Sequence, residues 1–213
     1  MYEQQIAKEL ALFLLEYKAA KIDPNDPFTL ASGLKSPIYC DTSIILSYPN
    51  MQDYIHYQLA TLITAKFGKP DVIAGVATGD SIQGALVAEK LGLPFIYVRS
   101  EKKSHSMQNQ IEGVINAGQS VVVINDLIST GESSLLAVDA LHEAGAEVKG
   151  MAAIFTYQMK TAKKNFEQKN CELVTLSNYE TLIQTAFKNE YITNDDFKSL
   201  KKWHQNPESW SKK

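Results

Sequence analysis

Apolar residues along the chain recur at two spacings, and these spacings predict alternating strands and helices. Helical spacing marks the segments 3–20, 50–67, 81–91, 133–144, 159–169, 179–189 and 194–204. Short runs rich in apolar and β-branched residues occur at 71–76, 95–98, 121–124, 151–155 and 173–176. Repeated strand–helix units of this length are typical of a parallel sheet with helices on both faces. The pattern therefore predicts an α/β fold built on a central parallel sheet.

Residues 1–45 depart from this alternation. Asp23-Pro24-Asn25-Asp26-Pro27 interrupts the first helix, and residues 28–41 show the alternation and the Gly and Pro punctuation of short strands and turns. We expect an N-terminal helix and a small hood in this region, beside an α/β core and C-terminal helices in residues 46–213. Because no linker or repeat divides the sequence, we expect a single domain over residues 1–213.

The segment Val121–Ser134 carries the most chemical information. Its four β-branched residues, 121–124, indicate a strand buried on both faces, and a turn with the carboxylate of Asp126 follows. A hydroxyl-rich loop then leads into a helical pattern that starts near Ser133. The amides of such a loop and of a helix N-terminus are suited to hold a phosphate, and a nearby carboxylate can reach a sugar hydroxyl. The segment thus predicts a site for a ribose phosphate.

Two further strand ends are polar, in the segments Val76–Ser81 and Val98–His105. Ligands of open α/β sheets bind beyond the carboxyl ends of the strands. We therefore expect these two segments and Val121–Ser134 to face one crevice.

Composition narrows the function classes. The net charge is −3 without a basic stripe, which argues against a nucleic-acid partner. No apolar stretch approaches the length of a membrane span, and the N-terminal residues lack the pattern of a signal peptide. The two cysteines, Cys40 and Cys171, form neither a disulfide framework nor a metal-ligand spacing. We expect a cytoplasmic protein that contacts neither nucleic acid nor membrane.

The ordered set of motifs resembles the orotate phosphoribosyltransferases, within the type I phosphoribosyltransferase family. Val121–Ser134 is similar to that family's motif for phosphoribosyl diphosphate (PRPP), and Phe28–Tyr39 to its N-terminal signature. Asp71–Thr78 resembles the strand before the diphosphate loop, and Ile154–Tyr157 also matches. Residues 99–113 lie where the family has a mobile catalytic loop. The resemblance covers nearly the whole chain and implies the type I phosphoribosyltransferase fold.

The resemblance also implies an activity, which is transfer of the 5-phosphoribosyl group from PRPP to orotate in pyrimidine biosynthesis. The products are orotidine 5-monophosphate and diphosphate. The catalytic residues implied are Lys103, His105 and Asp126. The PRPP-binding residues implied are Arg99, Lys103, His105, Asn125, Asp126, Leu127, Ile128, Ser129, Thr130, Gly131, Glu132 and Ser133.

Other expectations rest on the same resemblance. Thr78 and Gly79 fall in the diphosphate loop, and Ser129, with Lys35 as a weaker candidate, would contact orotate. Mg²⁺ is the implied cofactor, bound mainly through PRPP, with contact from Asp126 through a water as an option. A homodimer with shared active sites is implied, because the family's catalytic loop serves the neighbouring subunit.

Each assignment has a simpler structural alternative. Asp126 would then be a carboxylate that stabilises a helix N-terminus. Lys103 and His105 would belong to a solvated loop, and Thr78-Gly79 would form an ordinary strand-to-helix turn.

Five positions differ from the family's usual residues, namely Ser43, Asp80, Ser106, Asn125 and Glu132. Asn125 replaces an acid, and Glu132 replaces a glycine beside the expected phosphate. At about 5 Å and an effective dielectric constant of 20, two like unit charges repel by roughly 3 kcal/mol. Two alternatives therefore stay open beside the orotate enzyme. One is a phosphoribosyltransferase with another base, and the other is a non-catalytic protein that binds PRPP or a nucleotide.

Overall fold

The structure, a computed structural model, describes residues 2–30, 33–76, 81–99 and 110–210, without the side chains of Tyr2 and Ser81. The chain divides into two compact units. One combines Met1–Met51 with Ser177–Lys213, and the other is Gln52–Leu176. The C-terminal helices therefore cluster with the N-terminal elements, and the single-domain organisation stays a prediction.

Helices and strands alternate along most of the chain. The helices are Tyr2–Glu16 (α1), Pro49–Phe67 (α2), Ser81–Leu91 (α3), Glu132–Glu143 (α4), Lys160–Gln168 (α5), Tyr179–Lys188 (α6), Asn194–Gln205 (α7) and Pro207–Trp210 (α8). The strands are Ala20–Ile22 (β1), Phe28–Thr29 (β2), Lys35–Ser36 (β3), Ile38–Cys40 (β4), Val72–Val76 (β5), Phe95–Val98 (β6), Ile111–Glu112 (β7), Ser120–Ile128 (β8), Glu147–Thr156 (β9) and Leu173–Asn178 (β10). A 3-10 helix spans Thr42–Ser47.

Six strands form the main sheet in the order β10-β9-β8-β5-β6-β7. The pairs β5–β6, β5–β8 and β8–β9 are parallel, whereas β7 runs antiparallel to β6 at the edge. The predicted α/β fold with a central, mostly parallel sheet is confirmed. Strand β8 lies between two parallel neighbours, and its residues 121–124 are fully buried, as their β-branched side chains indicated.

Strand β8 is longer than predicted. It continues to Ile128, whereas the predicted strand ends at Ile124. Its partner β9 also continues, and the ladder pairs Asn125 with Ala153 and Ile128 with Thr156. Among the described residues, the last pair between β5 and β8 joins Gly75 to Ile124, at the end of the β-branched run. The predicted acidic turn is therefore strand, since pairing with β9 outweighs the weak strand propensity of Asn and Asp.

Several other boundaries also differ from prediction. The first helix ends at Glu16, not at residue 20, because the following residues enter β1, which pairs with β4. Helix α4 begins at Glu132, one residue early, and β9 begins at Glu147, four residues early. Strand β7 and the 3-10 helix were not predicted, because their sequences are too short to show a periodicity.

The unit that contains the N-terminal residues is held together by contacts between distant segments. Helix α1 packs against α6, and Ser177 Oγ donates a 2.8 Å hydrogen bond to the carbonyl oxygen of Ala7. Trp203 is fully buried, and its Nε1 donates a 2.8 Å hydrogen bond to the carbonyl oxygen of Lys35. No helix within the described ranges is long and apolar enough to cross a membrane.

Candidate active site

The candidate site begins in the loop between β8 and α4, residues Ser129–Gly131, which we call the β8–α4 loop. Gly131 is the N-cap of α4 and has a left-handed backbone, with φ 76° and ψ 0°. Glycine adopts this conformation without the steric cost that a Cβ would add. It also has no side chain to accept hydrogen bonds from the first turn of α4, whose amides have no partner within the helix. Those amides are suited to bind an anion.

Helix α5 supports the β8–α4 loop from one side. Asn165 Nδ2 donates a 3.0 Å hydrogen bond to the carbonyl oxygen of Thr130. The buried ring of Phe166 lies against Gly131, so a Cβ added there would stand 2.4 Å from Phe166 Cε2. Only glycine fits at residue 131 unless the aromatic ring moves.

Asn125 occupies the interior next to the β8–α4 loop. It is 3% exposed; its Nδ2 donates to Ser134 Oγ in α4, and its Oδ1 accepts a 3.2 Å hydrogen bond from the Leu127 amide. Both polar groups of the side chain are thus engaged by protein atoms. Contact of Asn125 with a ribose hydroxyl stays a prediction, while the observed bonds join the end of β8 to the first turn of α4.

Asp126 and Glu132 lie on either side of the β8–α4 loop in sequence. Asp126 is half-buried within β8, and Leu127 beside it is also half-buried. Gly131, and not Asp126, is the N-cap of α4, while the alternative in which the Asp126 carboxylate only stabilises the turn before that helix stays open. Glu132 is exposed in the first turn of α4, where solvent screens its charge. Ser129 and Thr130 are half-buried, and Ser133 is exposed.

Arg99 follows β6 directly, at the same edge of the sheet as the β8–α4 loop. Its amide donates a 2.9 Å hydrogen bond to the carbonyl oxygen of Gln110, and its guanidinium is ion-paired with Glu112 of β7. Because β5 lies between β6 and β8, and its register with both strands places Arg99 level with Asp126, these two residues are separated by two strand spacings, roughly 10 Å.

Comparison with known proteins agrees with this arrangement. The family described as phosphoribosyl transferase domain matches residues 41–189. An orotate phosphoribosyltransferase of Listeria innocua is 53% identical over 207 residues, which cover 97% of this chain and 99% of the relative.

The chain belongs to the orotate phosphoribosyltransferases.

Solved structures support the assignment at the level of fold. The orotate phosphoribosyltransferase of Aeropyrum pernix superposes with a TM-score of 0.75 at 26% identity, covering 86% of this chain and 99% of that chain. The UMP synthase of Leishmania donovani has a TM-score of 0.77 at 28% identity. That match covers 92% of this chain and 42% of the longer UMP synthase chain.

Other residues expected in an orotate phosphoribosyltransferase site lie outside the described residues. These are Thr78 and Gly79 of the diphosphate loop, and Lys103 and His105 of the catalytic loop, together with the variant positions Asp80 and Ser106. Their roles stay predictions. Thr78 follows the carboxyl end of β5, which pairs with both β6 and β8.

Lys35 and Ser43 lie in the other unit of the chain. Lys35 is exposed in β3, and its Nζ donates a 2.7 Å hydrogen bond to Thr29 Oγ1. Ser43 lies in the first turn of the 3-10 helix, where its Oγ donates a 2.5 Å hydrogen bond to Asp41 Oδ1. The expected contact between Lys35 and orotate is not tested by these bonds and stays a prediction.

Sequence reasoning missed a buried pair between α2 and α3. His56 of α2 and Gln83 of α3 are each 3% exposed, and His56 Nε2 lies 2.6 Å from Gln83 Oε1. Burial lowers the pKa of His56 below its usual range, although the bond to Gln83 opposes the shift. Gln83 belongs to the first turn of α3, so the pair fixes the helix that follows residues 77–80. A histidine within an amphipathic helix gave no indication of this role.

Binding of a metal ion at the candidate site would involve the carboxylate of Asp126. Among the residues that the structure describes, no group of three or more His, Cys, Asp and Glu side chains could hold a metal ion. The carboxylate of Asp126 and the hydroxyls of Ser129 and Thr130 fit Mg²⁺ when substrate phosphates and water supply its other ligands.

Proposed function

We propose that this protein transfers the 5-phosphoribosyl group from PRPP to orotate, giving orotidine 5-monophosphate and diphosphate in pyrimidine biosynthesis. One observation carries the proposal. The β8–α4 loop, with Asp126 beside it, stands at the carboxyl edge of the sheet in a chain 53% identical to an orotate phosphoribosyltransferase of Listeria innocua.

The 5-phosphate of PRPP would bind at the β8–α4 loop. The amides of Gly131 and of the first turn of α4 supply donors that need no rearrangement. The hydroxyls of Ser129, Thr130 and Ser133 supply additional hydrogen bonds. The left-handed backbone of Gly131 supports this role, because it turns the chain into the helix without a side chain in the way.

The reaction breaks the bond between the anomeric carbon and diphosphate while a ring nitrogen of orotate, which gives up its proton to solvent, bonds to that carbon. Positive charge develops on the ribose, and the half-buried carboxylate of Asp126 would stabilise it while contacting the ribose hydroxyls. Negative charge develops on diphosphate, where Arg99, Lys103 and His105 would neutralise it. Thr78 and Gly79 would contact the same group.

Magnesium, when bound to the diphosphate oxygens, supplies charge neutralisation of the leaving group. Asp126 is the described carboxylate at the site that would reach such an ion through a water.

We further propose a homodimer in the cytoplasm, in which each subunit completes its neighbour's site. Mixing a Lys103→Ala subunit with an Asp126→Ala subunit tests this, since shared sites regain activity in the mixed dimer and unshared sites do not.

The function itself is tested by an assay of the purified protein with PRPP and orotate, with and without Mg²⁺. We expect turnover to orotidine 5-monophosphate that falls sharply when the metal is chelated. Absence of turnover above blank, with native folding shown by circular dichroism, would contradict the proposal.

A second candidate is PRPP binding without turnover, and Asn125 favours it, because an uncharged amide whose polar groups bond to protein atoms supplies no negative charge to the developing ribose cation. Calorimetry that shows PRPP binding in a protein without turnover would support this candidate. The remaining alternative is a phosphoribosyltransferase that uses a base other than orotate. An assay in which purine and pyrimidine bases compete with orotate tests it.

A further inference from the structure

We infer that Asn165 of α5 is a positioning residue for the 5-phosphate site. The inference rests on the proposed function, because it assigns the β8–α4 loop to the phosphate of PRPP. Asn165 lies 35 residues beyond Thr130 and outside the motif by which the family is recognised.

The peptide that joins Thr130 to Gly131 has a fixed internal geometry. In a planar trans peptide, the carbonyl oxygen and the amide hydrogen point in opposite directions. Asn165 Nδ2 holds the Thr130 oxygen on the side of α5 with a 3.0 Å hydrogen bond. The Gly131 amide hydrogen is therefore directed away from α5, toward the open side of the loop where a phosphate would bind.

Without this bond, the peptide would be free to rotate. Glycine adopts positive and negative φ with similar ease, so Gly131 by itself does not fix the orientation of the preceding peptide plane. The opposite orientation would point the carbonyl oxygen of Thr130 at the phosphate, replacing an attractive contact with a repulsive one. Asn165 selects the orientation that binds an anion.

Phe166 restrains the same peptide from its other end. The ring is 4% exposed and lies so close to Gly131 that a Cβ there would be 2.4 Å from Cε2. Neighbouring residues of α5 thus hold Thr130 by a hydrogen bond and Gly131 by packing.

Helix α5 packs against α4, the helix that completes the phosphate site. Lys169, at the end of α5, donates to both carboxylate oxygens of Asp139 in α4, at 2.8 and 2.7 Å. The buried side chain of Ala162 also lies on α5. Asn165 therefore stands on a helix that contacts α4 directly.

The test compares Asn165→Ala with wild type in steady-state kinetics. Loss of one hydrogen bond to the loop should raise the KM for PRPP roughly five- to tenfold. The KM for orotate should stay unchanged, because the loop's other contacts persist. Asn165→Asp should raise the KM for PRPP further, since its carboxylate cannot donate to the Thr130 oxygen and would repel it.

Asn189→Ala is the matched control. Asn189 Nδ2 donates a 2.8 Å hydrogen bond to the carbonyl oxygen of Thr185, in the other unit of the chain. The control removes the same kind of bond, so it reports the effect of lost stability alone. A rise in KM for PRPP no larger in Asn165→Ala than in Asn189→Ala would overturn the inference.

Calorimetry with PRPP separates this inference from the proposed function. Weaker PRPP binding by Asn165→Ala than by wild type supports the inference even if wild type shows no turnover, a result that overturns the proposed function alone. Normal turnover and unchanged PRPP affinity in Asn165→Ala overturn the inference alone.

Discussion

The β8–α4 loop and the β6–β7 ribbon, formed by Phe95–Val98 and Ile111–Glu112, stand at the same edge of the sheet but are held differently. The loop is connected to β8 and α4 through Asn125 and Ser134, and to α5 through Asn165 and Phe166. The ribbon is held by its short ladder, by hydrogen bonds between Arg99 and Gln110, and by the ion pair of Arg99 with Glu112.

This difference matters because the two regions would bind different parts of PRPP. The 5-phosphate is unchanged by the reaction, so a rigid set of amides suits it. The diphosphate departs, and a cation whose partner is a partly exposed carboxylate can move to it at little cost. Exposed ion pairs contribute only about 0–1 kcal/mol. We therefore expect substitutions that disturb the loop to cost more activity than those that disturb the ribbon.

Gly131→Ala should have the largest effect. Its Cβ would meet Phe166 and strain a backbone with φ 76°, displacing several amide donors together. We expect kcat/KM for PRPP to fall by more than roughly 100-fold, since loss of even one well-placed donor has an effect of that size. Steady-state kinetics would measure the change.

Gly68→Ala is the control for this substitution. Gly68 has φ 73°, but a Cβ there meets no atom within 4 Å. The variant therefore carries the same backbone strain without the clash and lies away from the site. Equal losses of activity in both variants would show that the rigidity of the loop is not the cause.

Arg99→Ala should have the next largest effect, on the ribbon. If Arg99 neutralises the leaving diphosphate as proposed, kcat/KM for PRPP should fall roughly 100-fold. Lys149→Ala removes another ion-paired cation, 3.2 Å from Glu147, and should leave the kinetics unchanged. Full activity of Arg99→Ala would exclude Arg99 from the site.

Glu112→Gln sharpens the comparison, because it releases Arg99 without removing it. If the ion pair only holds Arg99 until PRPP arrives, the KM for PRPP should fall by about two- to threefold, consistent with a weak pair. A tenfold rise would instead show that Glu112 orients Arg99 as firmly as Asn165 is proposed to orient the loop.

The smallest expected effect is on stability in mild acid and concerns His56. Burial lowers its pKa in the folded protein from the ordinary 6.5. Above pH 6.5 the histidine is therefore neutral in both the folded and the unfolded protein, and its contribution to the free energy of unfolding is complete. As pH falls below 6.5, His56 becomes protonated in the unfolded chain but stays neutral in the folded protein. The free energy of unfolding then decreases until the lowered pKa is reached, by at most about 1.4 kcal/mol per pH unit.

Urea unfolding between pH 7.5 and 5.5 would measure this effect. His56→Gln should show a flatter dependence on pH than wild type, because glutamine does not titrate. The charges of Lys90, Asp53 and Glu89 act on the same histidine and remain in both proteins. Parallel curves for the two proteins would contradict the prediction.

Sequence patterns predicted the sheet well because burial on both faces requires a continuous apolar run, as in residues 121–124. They predicted the end of β8 poorly, because its extension to Ile128 depends on pairing with β9, which no local pattern encodes. Asn125 was assigned to the ribose by its place in the motif, and its burial against Ser134 appears only once α4 has folded back. Asn165 was missed for the same reason, since its partner is distant in sequence.

The contacts between distant segments described for the N-terminal unit also set an order of assembly during synthesis. Leu10 and Leu14 of α1 are fully buried in the folded protein, yet Ser177, whose hydroxyl binds the Ala7 carbonyl, is translated 170 residues later. At a translation rate of about 5–20 residues per second, roughly 8–34 s pass between the synthesis of α1 and that of Ser177. The parallel sheet of residues 52–176 emerges within that interval. We therefore expect the nascent chain to form this sheet first, while the apolar stripe of α1 stays exposed until α6 appears.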